Sequence, residues 1–139
     1  KSLVNQALEN WGRIDILVNN AGILRDKTFA KMTLSDFRAV VDTHLMGAVT
    51  CCKAVWDIMR SQEYGRIVMT SSSSGLYGNF GQSNYGAAKM ALIGLMNVLS
   101  LEGAKYGIVV NALAPTASTR MTKDLLPKEF RSLHPDYHR

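Results

Sequence analysis

Apolar positions along the chain alternate between helical spacing and short continuous runs. Leu3, Val4, Ala7, Leu8 and Trp11 recur at helical intervals and predict an amphipathic helix that ends at Gly12. Ile14 to Asn19 (IDILVN) is read as a continuous run, the pattern of a parallel strand covered on both faces. Asn20-Ala21-Gly22 follows as a turn. Thr33-Leu-Ser-Asp36 resembles a capping box and opens a long helical region to about Met59, with Phe37, Val40, Val41, Leu45, Val49, Val55 and Ile58 on related faces. Arg66 to Ser71 predicts a second strand, and Gly75, Gly78 and Gly81 a loop. A helix carrying Tyr85 and Lys89 runs on to about Lys105, and Ile108 to Ala114 is a third buried strand stopped by Pro115. Strands alternating with helices of this length imply right-handed crossovers and a parallel α/β sheet. Residues 116–139 are polar, contain Pro127 and Pro135, and are expected to serve as a lid over a substrate.

Composition narrows the class. The 139 residues suit a single domain, and 47% hydrophobic content is enough for a packed core. Cys51 and Cys52 are adjacent in a helical pattern, which precludes useful pairing, and no Cys/His spacing suggests zinc, so a reducing compartment is expected. The net charge of +5 comes from scattered residues, with loose groups at Arg25, Lys27, Lys31 and at Arg120, Lys123, Lys128, Arg131. That distribution describes solvated surface better than a phosphate or nucleic-acid site. No apolar run approaches the length of a membrane span and no leader precedes the first helix, so the expected chain is soluble, cytoplasmic, or peroxisomal in a eukaryote.

Ser72 to Lys89 (SSGLYGNFGQSNYGAAK after Ser72) carries the candidate chemistry. Tyr85 and Lys89 lie four apart, which stacks them on one helix face. A fixed ammonium favours the phenolate of a tyrosine whose ordinary pKa is about 10, as do the unpaired N–H groups of a first helical turn. Ser72, thirteen residues upstream at a strand tip, offers a hydroxyl that can donate to a carbonyl oxygen. The Tyr-x-x-x-Lys pair alone occurs by chance in many helices. Asn20-Ala21-Gly22 ends a parallel strand, where open α/β sheets bind ligands, and its small residues admit a flat group. His44, inside the long helix among apolar neighbours, reads by itself as a core histidine.

Together these loops resemble the short-chain dehydrogenase/reductase family over nearly the whole chain. Asn19-Asn-Ala-Gly22 is similar to its turn beside the cofactor, Ser72 and Tyr85-x-x-x-Lys89 to its catalytic set, and Asn111-Ala-Leu-Ala-Pro115 to the strand and turn at the nicotinamide. The chain departs from the family at His44-Leu-Met-Gly47, where Asn usually precedes Leu-x-Gly, and at Thr116, where Gly usually follows the proline. Both departures resemble the (3R)-hydroxyacyl-CoA dehydrogenase subgroup, typified by a domain of peroxisomal multifunctional enzyme type 2 and its bacterial relatives. So do Gly22-Ile-Leu-Arg-Asp26, Tyr77-Gly-Asn-Phe-Gly-Gln82 and Ser118-Thr-Arg-Met-Thr122.

The resemblance implies a Rossmann-like parallel sheet with flanking helices. It also implies oxidoreduction of a secondary alcohol and ketone with NAD or NADP, on 3-hydroxyacyl or 3-oxoacyl thioesters. Tyr85 is then the acid/base, Ser72 orients the oxygen, Lys89 tunes Tyr85 and holds the nicotinamide ribose, and His44 replaces the asparagine of a proton relay. Asn20, Ala21, Gly22, Pro115, Ala117 and Ser118 join Tyr85 and Lys89 around the cofactor, and family members form dimers and tetramers. A 3-oxoacyl-carrier-protein or hydroxysteroid substrate, or a non-catalytic assembly module, are the other readings. The family's N-terminal βαβ units and last strand have no counterpart here, so the chain is expected to be an internal part of a longer dehydrogenase. By itself it is expected neither to bind NAD(H) nor to turn over an alcohol.

Overall fold

The computed structural model describes residues 3–115. Three strands, β1 (Ile16–Asn19), β2 (Gly65–Thr70) and β3 (Ile108–Leu113), form one sheet in the order β1-β2-β3, all parallel. The expected α/β class is the observed one. Helix α1 (Leu3–Trp11) precedes β1 and ends where Gly12 takes φ 69° and its N–H caps the Leu8 carbonyl at 2.9 Å. The crossover from β1 to β2 is α2 (Leu34–Val41), a π-helical turn at Asp42–Met46 and α3 (Gly47–Gln62). The crossover from β2 to β3 is α4 (Ser73–Tyr77) and α5 (Ser83–Gly103), extended by a 3-10 turn to Tyr106. With Asn19 paired to Met69 and Thr70 to Leu113, the carboxyl ends of all three strands share one edge.

Helices α3 and α5 lie on one sheet face. Ile67, Met69, Ile108 and Val110 meet Ala48, Cys52, Val55, Met59 and Leu92 there, with Leu17 partly buried beside them. The opposite face differs from the expectation of two covered sides. Among the described residues Ile16, Val18, Val109 and Leu113, which alternate with the core positions, are exposed.

Three local differences have identifiable causes. β1 starts at Ile16 rather than Ile14, because the Gln62 side chain takes both backbone groups of Ile14, accepting from its N–H at 2.9 Å and donating to its carbonyl at 2.8 Å. The long helical region is broken by the π-helical turn, whose extra residue per turn leaves the apolar periodicity on either side almost intact. The expected glycine loop begins instead as the short helix α4, with Ser72 as its N-cap accepting from Ser74 N–H.

Helix α5 is long and apolar enough to cross a membrane by length and composition, with a mean hydropathy of 1.2 over its most apolar window, which the sequence reading did not expect. It carries the buried side chains of Asn84 and Lys89 and packs on β2, β3, α2 and α4.

Candidate active site

The carboxyl edge of the sheet collects the expected residues. Thr33 caps α2 by accepting from the Asp36 N–H at 3.0 Å, and Asp36 returns to the Thr33 hydroxyl and to the Lys27 ammonium, so the carboxyl is held below its ordinary range. This capped helix leads into the π turn, which turns His44 inward. His44 is 3% exposed and its ring meets that of Tyr85 edge-on, centroids 5.1 Å apart.

Tyr85 sits in the first turn of α5, and four residues on Lys89 lies beneath it, with its ammonium 5.5 Å from the ring centroid. Lys89 is buried, and its Nζ donates to the Thr70 carbonyl at 2.5 Å. Removal from water disfavours the charged form, which brings the lysine down to about 8. The helix start is anchored by Asn84, fully buried, whose Oδ1 accepts from the Tyr85 N–H at 2.7 Å while its Nδ2 donates to the Arg25 carbonyl at 3.1 Å. Gln82 adds a second tie, donating to Asp26 at 2.7 Å. The segment after Gly22 is thereby sewn to the start of α5. Sequence reasoning missed Asn84 and Gln82 as site supports; buried amides just ahead of the Tyr-x-x-x-Lys pair were the available signal.

His44 shows how the β1 turn is positioned. Its Nε2 lies 2.8 Å from the Ile23 carbonyl and 3.1 Å from the Ile23 N–H, donating to the first in one tautomer and accepting from the second in the other. Nδ1 is buried and has no partner among the described residues. Burial pushes the imidazole below its ordinary 6.5, the Ile23 hydrogen bond pulls the other way, and the Lys89 charge adds to the depression. Gly22 is pressed against this ring, since a Cβ there would overlap His44 Cε1. A glycine that the sequence assigns to a flat ligand is therefore needed by the imidazole as well.

Ser72 stands at the end of β2, half-buried, with its oxygen accepting from Ser74 N–H at 3.2 Å. That leaves the hydroxyl hydrogen free to donate, among the described residues. Asn20 and Ala21 at the end of β1 and Pro115 beyond β3 are exposed on the same edge. Ala117, Ser118 and the expected lid at 116–139 lie outside the described residues. The structure thus brings Tyr85, Lys89, His44 and Gly22 into contact, with Ser72, Asn20, Ala21 and Pro115 just beyond the carboxyl ends of the three strands.

A family model for short chain dehydrogenase matches residues 1–129. The chain belongs to that family. It is 49% identical over 138 residues to peroxisomal multifunctional enzyme type 2 of Mus musculus, a match covering 99% of this chain and 19% of that protein. Against the peroxisomal hydratase-dehydrogenase-epimerase of Saccharomyces cerevisiae it is 54% identical over 127 residues, 91% of this chain and 14% of the relative. Against the acetoacetyl-CoA reductase of an Acinetobacter species the figures are 46% over 121 residues, 86% and 49%. The chain spans less than half the length of each of these relatives. The short-chain dehydrogenases are oxidoreductases that generally use NAD or NADP.

Proposed function

We propose that the protein interconverts a secondary alcohol and a ketone with NAD or NADP, on 3-hydroxyacyl and 3-oxoacyl thioesters. The observation that carries this reading is Tyr85 set between the Lys89 ammonium and the His44 ring at the carboxyl edge of a parallel sheet. The name of the Acinetobacter relative, an acetoacetyl-CoA reductase, supports the substrate class.

The residues fit a nicotinamide cofactor. The Lys89 ammonium has three N–H donors and one acceptor, Thr70, among the described residues, so donors are left for ribose hydroxyls. Asn20, Ala21, Gly22 and Pro115, with Ala117 and Ser118, would line the rest. The cofactor supplies one thing, a hydride acceptor or donor. During oxidation Ser72 donates a hydrogen bond to the substrate oxygen and the Tyr85 oxygen takes the alcohol proton; during reduction Tyr85 returns it. His44, edge-on to Tyr85 and close enough to feel the Lys89 charge, would take the place of the asparagine in the family's proton relay.

The oligomer is proposed from α3 and α5. A groove lined by Val49, Cys52, Trp56, Leu95 and Leu99, with Lys53 and Glu102 also in its wall, runs between them, and Val98 and Leu101 of α5 are exposed, a surface suited to a second copy of the chain. A peroxisomal address in a eukaryote follows the names of the mouse and yeast relatives.

At its natural length, the protein assayed with (3R)- and (3S)-hydroxyacyl-CoA, a 3-oxoacyl carrier protein and steroid alcohols, each with NAD and NADP, is expected to prefer a hydroxyacyl-CoA. Tyr85→Phe should lower turnover by about a thousandfold while cofactor binding persists. Wild-type turnover in that variant overturns the assignment.

A further inference from the structure

The strand tip that carries Ser72 is tied to the helix of Tyr85 and Lys89 by groups that the proton chemistry does not use. Ser71 is 2% exposed. Its backbone N–H donates to the Leu113 carbonyl of β3 at 2.8 Å, and its hydroxyl donates to the Lys89 carbonyl at 2.9 Å. The Lys89 side chain meanwhile reaches back to the carbonyl of Thr70, the residue before. One residue of α5 therefore grips the last residue of β2 and the one that follows it, once through its ammonium and once through its backbone oxygen. The same tip is joined to β3 just ahead of Pro115.

Glycines close the other side of this clamp. A Cβ at Gly75 would stand 2.9 Å from the Met90 nitrogen and 3.0 Å from the Lys89 Cβ, and one at Gly86 would stand 2.9 Å from the Ser74 carbonyl oxygen. Helix α4 rests on α5 at backbone contact, immediately after Ser72. Any added atom has to push the two apart.

We propose that Ser71 is a positioning residue, whose buried hydroxyl on the Lys89 carbonyl, backed by the Gly75 and Gly86 contacts, sets where the Ser72 hydroxyl stands relative to Tyr85. This rests on the reading of Ser72, Tyr85 and Lys89 as the catalytic set. The physical reason is alternation and distance: next to one another at an extended strand tip, Ser71 points inward and Ser72 outward, so a shift of one is a shift of the other. The Lys89 carbonyl lies inside α5 and keeps a helical partner when the serine hydroxyl is removed, so the loss falls on position more than on an unsatisfied group.

The test compares Ser71→Ala, Ser72→Ala and wild type at natural length, measuring kcat for the alcohol, thermal midpoint, and NADH affinity from cofactor fluorescence. Ser71→Ala is expected to lower kcat on the order of tenfold, since sub-ångström misplacement of a catalytic group is amplified in rate. Its NADH affinity should stay within about twofold of wild type, because the loss belongs to the transition state. A kcat unchanged from wild type, or one that falls in step with NADH affinity, overturns the positioning role. Failure of the underlying reading shows separately, as wild-type turnover in Ser72→Ala. If Ser71→Ala does not fold, Gly75→Ala is read the same way: a drop in kcat at constant NADH affinity supports the clamp, and an unchanged kcat overturns it.

Discussion

At the level of single residues, His44 and Gly22 form the most constrained pair of the site. Gly22→Ala forces a methyl into the imidazole and should cost about 1–3 kcal/mol, as overpacking does in close-packed interiors. Combining it with His44→Ala should recover most of that loss, which urea denaturation of the two single variants and the double variant would read directly. Equal and additive losses would mean that the ring is not what excludes the methyl. His44 also sets a pH dependence. The native chain holds it neutral, with burial as the main cause, whereas the unfolded chain takes a proton at the ordinary value of 6.5. Between the depressed native value and 6.5 the unfolded state binds more protons, so stability is complete above that window and is lost as pH falls through it. The urea midpoint of the wild type should therefore decline from pH 7.5 to 5.5 more steeply than that of His44→Asn.

Among the elements, the end of α3 stores a correctable strain. Glu63 terminates that helix in the left-handed region at φ 51°, the one non-glycine residue with positive φ among those described. A Cβ is unfavourable there, and Glu63→Gly should raise stability by about 0.5–1 kcal/mol, visible as a higher thermal midpoint without loss of helical circular dichroism. No change, or a lower midpoint, would show that the glutamate side chain contributes more than the backbone loses. The π turn at Asp42–Met46 is strain of another kind. Its wider spacing is what allows His44 to point at Ile23 and Tyr85 from a helix that otherwise faces the core with Val40, Ala48 and Cys52.

For the whole molecule, the exposed sheet face dominates. Ile16 at 64%, Val18 at 57% and Leu113 at 55% exposure share it, and β1 is an edge strand whose outer backbone groups have no strand partner among the described residues. Apolar surface of this kind beside an open edge invites association. The 139 residues alone are expected to self-associate across the micromolar range, measured as light scattering that grows with concentration. Val18→Lys, which charges that face without touching the core, should suppress it. A monodisperse monomer throughout the range would show that the face is covered.

Much of the architecture was legible along the chain, for reasons that are local. Helical spacing and short apolar runs are properties of neighbouring residues, so α1, α5 and the three strands follow, to within a residue or two at their ends, from Leu3 to Trp11, the pattern to about Lys105 and the runs Ile14 to Asn19, Arg66 to Ser71 and Ile108 to Ala114. Tyr85 and Lys89 were legible because a helix converts a spacing of four into contact. Ser72 was legible because a strand tip leaves its hydroxyl at the ligand edge. The π turn was not, since one extra residue in a turn hardly alters the apolar period, and neither was α4, since Gly75 inside it favours a loop and it is held by the Ser72 cap and by backbone contact with α5. Tertiary structure alone decided that His44 meets Ile23, that Gly22 makes room for a ring, that Ser71 and Thr70 are gripped by Lys89, and that one sheet face stands open. Each of these joins residues at least eighteen positions apart or depends on which elements cover a surface, and no periodicity along a chain encodes which distant group will arrive.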